Sequence, residues 1–300
     1  MDAFMNIGIT TVREEAYHPN FRLKQAANAR GHSLVLMNPY RYLPGIDTEG
    51  LKLPGTDDVS LPLPDVVIPR QGALIGTFSL TLTSHFEALG IPLVNDVQSI
   101  ILASNQFLTL QHLATSGVAV PDSFFISSLN DVRKAVSSLG GYPVIAKEIN
   151  GRQGQGVSLL ACENDAKRVA EPILGSGAGM IVQRFIPVKG RRDIRVLVIG
   201  GEIVGAMELV TPDKEFRANY HLNSSAVRVM LSREMKHIAV KAAKAVGLDI
   251  AGVDMMVDQN GKSMVVEVNY SPGFKGLERT TRLDIADMII NHSLVLAAKK

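Results

Sequence analysis

Asp254 and Glu267 are the side chains from which chemistry can first be argued. They flank Asn260-Gly261, inside two strand-like runs that extend from Ala251 to Gly273. Asn-Gly favours a two-residue type I′ hairpin, whose central residues both need positive φ. With that turn Gln259 faces Lys262, and counting outward sets Asp254 opposite Glu267 and Gly252 opposite Asn269. Val253, Met255, Val257, Met264, Val266 and Val268 then share the other face, which is apolar and reads as core. Two carboxylates across a ladder repel each other, and a cation between them is the obvious compensation. Asp254, Glu267 and the Asn269 amide form an oxygen-only set. That set suits Mg²⁺, which keeps waters and bridges to substrate phosphates. Gly252 would leave the space beside such an ion open. The alternative is a solvated strand face with one unfavourable charge pair.

Further candidates are spread along the chain. Lys147 lies in the strand-like run Pro143–Ile149, on one face with Ile145 and Ile149. A lysine on an apolar face meets an anion or snorkels to the rim. Immediately after it comes Asn150-Gly-Arg-Gln-Gly-Gln-Gly156. Gly151, Gly154 and Gly156 would let backbone N–H groups approach phosphates, although a flexible connector has the same composition. Asp193 and Arg195 share a strand face, where acids can hold the guanidinium while it reaches a ligand. The Gly200-Gly201 turn would set Asp193 opposite Glu208 and Arg195 opposite Ala206. A structural ion-pair cluster fits the same pattern. Arg217 and Asn219 stand two residues apart in Phe216–His221.

The elements that must position these groups follow from periodicity and punctuation. Asn6–Thr11, a helix over Phe21–Arg30 ended by Gly31, and Ser33–Met37 begin a βαβ unit and so an open α/β sheet. Leu43–Pro64 carries four prolines and four acidic residues and reads as a connection. Asp65–Pro69 is a buried strand, Ser79–Leu89 a helix closed by Gly90, and Pro92–Asn95 a last short strand. No Gly-x-Gly-x-x-Gly follows the first strand, so a dinucleotide fingerprint is absent. Ser99–Ser116 has helical spacing up to Gly117, and Val118–Pro121 and Ser123–Ile126 are strand-like. Asn130 is placed to cap a helix with the stripe Val132, Ala135, Val136 and Leu139. Strands are expected at Val157–Ala161, Met180–Ile186, Asp193–Ile199 and Glu202–Leu209. Between the first two of these, Asp165–Leu174 is a short helix bent or ended near Pro172. Ser232 caps a helix closed by Gly247, Ser271–Gly276 is a loop, and Asp284–Ala298 is a final amphipathic helix.

Composition bounds the function. Three hundred residues, 46% hydrophobic and 20% charged, allow two or three compact units. A net charge of +2 with scattered Lys and Arg makes no case for nucleic acid or a membrane surface. No apolar run reaches the ~18 residues of a membrane span and no signal peptide opens the chain, so a cytoplasmic protein is expected. The single cysteine, Cys162, excludes a disulfide framework; its apolar run, Ser158–Cys162, suggests buried packing.

In this order, Lys147, the glycine loop, Asp193-x-Arg195, Arg217-x-Asn219, Asp254 and Glu267-x-Asn269 before Ser-Pro-Gly resemble the ATP-grasp ligases. The RimK-type glutamate ligases are the nearest likeness, extending from Val67-Ile-Pro-Arg-Gln-Gly72 to Glu278–Ile285. The resemblance implies an α/β (α+β) ATP-grasp fold in three parts. These are a Rossmann-like pre-ATP-grasp domain (1–97), a central lid (98–180) and a C-terminal catalytic part (181–300). It implies ATP with Mg²⁺, two ions or Mn²⁺ in their place. Lys147 would contact the phosphates under the loop of Gly151, Gly154 and Gly156. The backbone of Gln183, Arg184 and Phe185 would hold adenine, and Asp193 would meet the nucleotide. Arg217, Ala218 and Asn219 would reach phosphates, with Arg195 and Arg217 at the reacting groups. Asp254, Glu267 and Asn269 would bind metal. The implied activity is carboxylate–amine ligation through an acylphosphate. It would add glutamate or another amino acid to a protein C-terminus, a peptide or a small acceptor. A homo-oligomer is implied as well. The chain departs from the family at Asn105-Gln106 (usually Asp-Lys), Arg184 (commonly Glu), Leu209-Val210 (arginines) and Ser224-Ser225 (Gly-Gly). These departures keep a second reading open, a diverged nucleotide-binding module that regulates or scaffolds.

Overall fold

The computed structural model describes residues 3–56, 63–71, 76–149, 156–175, 177, 179–210 and 225–299. The chain opens with β1 (Asn6–Thr10), α1 (His18–Ala29) and β2 (Ser33–Met37), then β3 (Gly45–Asp47), β4 (Gly50–Lys52), β5 (Val66–Pro69) and α2 (Thr77–Ala88). The expected βαβ unit forms a parallel sheet of order β2-β1-β5. Pro19 in the first turn of α1 lets that helix start ahead of Phe21. The 43–64 connection is not featureless, because β3 and β4 pair as a small hairpin. Pro92–Asn95 contributes a single parallel bridge, Val67 to Leu93, in place of a strand.

The expected helix over Ser99–Ser116 is two helices, α3 (Val97–Ser104) and α4 (Gln106–Thr115). Asn105 breaks the run: its Oδ1 accepts from the N–H groups of Phe107 and Leu108, both at 3.1 Å, and so caps α4. The next unit contains β6 (Ser123–Ile126), α5 (Leu129–Ser138), β7 (Val144–Glu148), β8 (Val157–Leu160), α6 (Glu163–Gly175) and β9 (Met180–Arg184). Its antiparallel sheet runs β6-β9-β7-β8. Val132, Ala135, Val136, Ala166 and Ala170 from its helices pack on Val144, Ala146 and Val182. Ser128 takes the N-cap position expected for Asn130, and α6 continues through Pro172. Cys162 is exposed, which corrects its reading as a packed core residue.

The last unit holds β10 (Arg192–Ile199), β11 (Glu202–Val210), β12 (Ser225–Arg228), α7 (Arg233–Val246), β13 (Ile250–Val257), β14 (Ser263–Asn269), α8 (Lys275–Thr281) and α9 (Ile285–Ala297). Its antiparallel sheet runs β12-β11-β10-β13-β14. Alternation sends Ile194, Val196, Val198, Val253, Met255 and Val268 against α7, joined by Ile100 and Leu113 from α3 and α4. Helix α8 has no counterpart in the sequence reading, which left its first two residues in a loop. On the opposite face, Leu197, Ile199, Met207, Leu209 and Ile250 share one cluster with Ile289 and Ile290 of α9 and Ile7, Ile9 and Leu23 of the first unit. Ion pairs fasten that contact: Arg22 to Glu278 at 3.3 Å and to Asp284 at 2.9 Å, and Arg30 to Asp287 at 2.6 Å. Buried Asn95 adds a clamp, donating to the carbonyls of Ile250 and Tyr270, both at 2.9 Å, and accepting from Ile250 N–H at 2.8 Å. Among the described residues, no helix is long and apolar enough to cross a membrane.

Candidate active site

The uncovered part of that same face carries Asp193, Arg195, Asp254, Glu267 and Asn269. Asp254 pairs with Glu267 and Gly252 with Asn269, as counting from the turn proposes. The route to that register differs. Val257 pairs with Ser263 and Met255 with Val265, so three residues, 259–261, form the loop. Only Gly261 has positive φ (82°); Asn260 does not, so the turn is not type I′. Asp258 holds it, its Oδ1 accepting from Asn260 and Lys262 N–H at 2.9 Å. A bulge after Asp254 absorbs the extra residue, turns Val265 into the core and leaves Val266 half-buried. Gly252 does not leave space for an ion. A Cβ there would lie 2.7 Å from Pro272 Cβ, so the glycine admits the Ser271-Pro272-Gly273 loop.

Beside this hairpin, β10 pairs Arg195 with Asp254. The guanidinium grips the carboxylate with two hydrogen bonds, Nε at 2.7 Å and Nη2 at 2.6 Å. Burial alone would lower the Arg195 pKa; the Asp254 charge and hydrogen bonds, with Glu267 behind, outweigh it and move it upward. On its other edge β10 departs from expectation. Gly200 and Gly201 make the turn with positive φ, yet a bulge between Leu197 and Val198 shifts the register. Asp193 therefore faces Leu209, not Glu208, and Arg195 faces Met207, not Ala206. Glu208 instead binds Arg192 at 2.6 Å. Asp193 is held by Arg191 at 3.0 Å, and Arg191 also donates to the Ile186 carbonyl at 3.0 Å. Burial raises the Asp193 pKa, with Arg191 opposing.

Lys147 reaches this cluster from the other sheet. It projects from β7 with Ile145, away from the Val144 and Ala146 face that packs on the helices. Burial lowers its pKa, while Glu267 and then Asp254 act to raise it. The lysine is thus close enough to feel the charge of both carboxylates. Glu267 is pushed upward by burial and then by Asp254, against Arg195 and Lys147. A carboxyl raised by burial beside a second carboxylate is relieved by a cation. Asn269 Nδ2 lies 3.4 Å from Asp254 Oδ2 and completes an oxygen-bearing set. Among the described residues no three His, Cys, Asp or Glu side chains converge on one point. The set therefore fits an ion such as Mg²⁺, which completes its shell with water and phosphate, and does not form an all-protein cage.

The strand end at Gln183–Phe185 joins the two sheets. Gln183 is buried and donates to Ser123 Oγ at 2.8 Å. Arg184 is exposed; its N–H and its Nε bind the carbonyl and carboxylate of Asp122, both at 2.8 Å. Phe185 is half-buried. Gly156 has φ of 73° and lies against Glu148. Gly151, Gly154, Arg217, Ala218 and Asn219 lie outside the described residues. So does Ser224, while Ser225 begins β12. Leu209, where the RimK-type pattern implied arginine, is buried in the cluster shared with the first unit. Sequence reasoning assigned no role to Arg191, Asn95 or Arg70, each buried at a junction between units. An arginine directly after the apolar run Val66–Pro69 was the available signal for Arg70.

The RimK pre-ATP-grasp domain matches residues 5–100, and the RimK-like ATP-grasp domain matches residues 103–293. The chain belongs to the RimK-like ATP-grasp family. A relative from Photobacterium profundum, named "Probable alpha-L-glutamate ligase", is 37% identical over 303 residues, covering 99% of this chain and 97% of that one. Among solved structures, the ATP-grasp ligase PsnB complexed with minimal precursor superposes with a TM-score of 0.76 at 21% identity, covering 99% of both chains. D-alanine–D-alanine ligase from Bacillus anthracis complexed with ATP gives a TM-score of 0.71 at 15% identity, covering 98% of both. At those identities the likeness is one of fold.

Proposed function

We propose that this ATP-grasp ligase joins glutamate, or a similar amino acid, to a carboxylate-bearing peptide, protein or small acceptor. The observation that carries the reading is the Asp254–Glu267 pair, backed by Arg195 and faced by Lys147 from the second sheet. A cation between the carboxylates, with phosphates at the lysine, would satisfy that charge pattern. Relatives carry the glutamate ligase name, and the PsnB structure contains a peptide precursor, which supports this substrate class.

In the reaction, an acceptor carboxylate oxygen attacks the ATP γ-phosphorus and ADP leaves. The amine then attacks the acyl carbon, phosphate departs with the C–O bonding electrons, and the amine gives up a proton. Asp254, Glu267 and Asn269 would hold Mg²⁺, which supplies charge neutralisation at the phosphates. Lys147 stabilises charge gathering on the transferred group, at a site where burial strengthens it. Arg195 holds Asp254 in its ligating orientation and stands beside the reacting groups. Gln183, Arg184 and Phe185 form the edge for adenine, Asp193 meets the nucleotide, and Arg217, Ala218 and Asn219 are assigned to phosphate and reacting groups.

The test is ADP release with Mg-ATP, glutamate and peptide acceptors. We expect release that needs both the amino acid and the metal and vanishes in Glu267→Ala. Tight Mg-ATP binding with no turnover, across amino acids and acceptors, would instead favour a non-catalytic nucleotide-binding module.

A further inference from the structure

The carboxyl ends of β1 and β5 hold polar groups that the ligation chemistry above does not use. Arg70 follows β5 directly and is 8% exposed; Gln71 is 5% exposed and Thr10, at the end of β1, is fully buried. Arg70 N–H donates to the Thr10 carbonyl at 3.0 Å, so the three residues are backbone neighbours at one end of the sheet. Arg70 Nη2 donates to the Pro272 carbonyl at 2.9 Å, and the guanidinium lies over the Phe274 ring, 5.6 Å from its centroid. Arg70 Nε, both polar atoms of the Gln71 amide and Thr10 Oγ1 are buried without a hydrogen-bond partner among the described residues. Among the described residues no carboxylate pairs with Arg70. Burial lowers its pKa to about 10, with Tyr17 opposing.

Buried polar groups are ordinarily satisfied, and a buried cation is ordinarily paired. A buried guanidinium with an unsatisfied Nε, at strand ends where Gln71 and Thr10 leave three more polar atoms unsatisfied, marks a place where a ligand supplies the missing acceptors and charge. The position agrees. In an open parallel sheet, ligands bind beyond the strand carboxyl ends where the order switches direction, which here is between β1 and β5. The site is one loop from the metal residues, since Pro272, which Arg70 holds, packs on Gly252 and Gly252 pairs with Asn269.

We propose that Arg70, Gln71 and Thr10 form the pocket for a non-reacting carboxylate of the amino-acid substrate. The amino acid reacts through its amine, so its carboxylates stay unreacted, and one of them needs a cation of its own away from the metal. Arg70 supplies two N–H groups and the charge, the Gln71 amide adds a donor for the carboxylate and an acceptor for the substrate amine, and Thr10 adds a hydroxyl. The assignment rests on the ligase reading for the identity of the substrate, but the pocket can be tested without turnover.

The experiment compares wild type, Arg70→Met and Gln71→Leu, using L-glutamate and its two monoamides, glutamine and isoglutamine. For wild type, replacing the recognised carboxylate by an amide should raise KM about tenfold or more. Arg70→Met should raise the glutamate KM by a similar factor, abolish that discrimination and leave the Mg-ATP KM within about twofold. Gln71→Leu removes two unsatisfied polar atoms, so it should keep or raise Tm while also raising the glutamate KM. That combination separates recognition from a structural role, and it decides the matter if Arg70→Met does not fold. Folded variants with unchanged glutamate KM and discrimination would overturn the pocket and leave the ligase standing. If wild type releases no ADP with any amino acid, the readout becomes stabilisation against heat by glutamate. Stabilisation lost in either variant then supports the pocket although the ligase reading fails; no stabilisation of wild type overturns the pocket too.

Discussion

One face of the β12-β11-β10-β13-β14 sheet does two different things. Where α8, α9 and the first unit cover it, the strands present Leu197, Ile199, Met207, Leu209 and Ile250. Elsewhere on it, the same strands present Asp193, Arg195, Asp254 and, with β14, Glu267 and Asn269. Strand β10 passes from Arg195 to Leu197 in one step of the pleat, from a gripped guanidinium to a core side chain. The covered portion stabilises by excluding water from apolar surface. The open portion stores like-charge repulsion that Arg195 and Lys147 only partly offset. Stability is concentrated in one portion and the proposed chemistry in the other, with Gly252 and Pro272 at the seam.

Substitutions on either side should therefore separate activity from stability. Glu267→Ala should have the largest effect, lowering ADP release on the order of a thousandfold. Its urea midpoint should stay level or rise, because a repelling carboxylate is gone; a clear fall would mean that the open portion is structural. Leu197→Ala, two residues beyond Arg195, should cost about 3 kcal/mol in urea unfolding. Its KM for Mg-ATP should be unchanged while the protein stays folded. Arg195→Met should cost about 2 kcal/mol, less than a fully buried pair because both partners keep some solvent contact. Most of that cost should disappear when Asp254→Asn is combined with it in a double-mutant cycle. At the seam, Gly252→Ala puts a methyl against Pro272 and should cost about 1–2 kcal/mol, with a raised KM for glutamate as the loop holding Arg70 is displaced.

The smallest effect concerns pH on the covered side. His18 lies edge-on to Phe274, 5.7 Å between ring centroids, with Nε2 3.5 Å from Glu278. Its pKa is lowered by burial, then by Lys275 and Arg22, with Glu278 opposing. The unfolded chain therefore takes up this proton first as pH falls. The native state keeps its full stability above the ordinary histidine range, about 6.5. It loses some as pH drops from there through the lowered value. Urea midpoints at pH 7.5 and 5.5 should differ less for His18→Gln than for wild type. An unchanged difference would show that His18 does not contribute to the slope.

The pairing of Asp254 with Glu267 was readable because charge and turn patterns are local. The register was less secure. On β13–β14, assuming two loop residues instead of three was an error of one, and the bulge after Asp254 cancelled it where the carboxylates sit. On β10–β11 the turn was right, and the bulge at Leu197 moved Asp193 and Arg195 away from their expected partners. Bulges follow packing against neighbouring layers, which no turn sequence specifies. Asn105 was likewise hidden inside a helical pattern, because a cap is visible only once the chain has turned. Gly252 was noticed, but Pro272, the reason for it, lies on another element.

By itself, the sequence determined most of the α/β elements, the family, and the pairing of Asp254 with Glu267 and of Gly252 with Asn269, since each follows from patterns of residue type along the chain. Only the tertiary structure decided that Arg195 binds Asp254, that Lys147 on another sheet feels the charge of both carboxylates, and that Leu209 belongs to a core shared with the first unit. It alone brought Arg70 to Pro272, 202 positions apart. Contacts of that range depend on how sheets and helices pack, and packing is set by the whole buried surface rather than by any one segment.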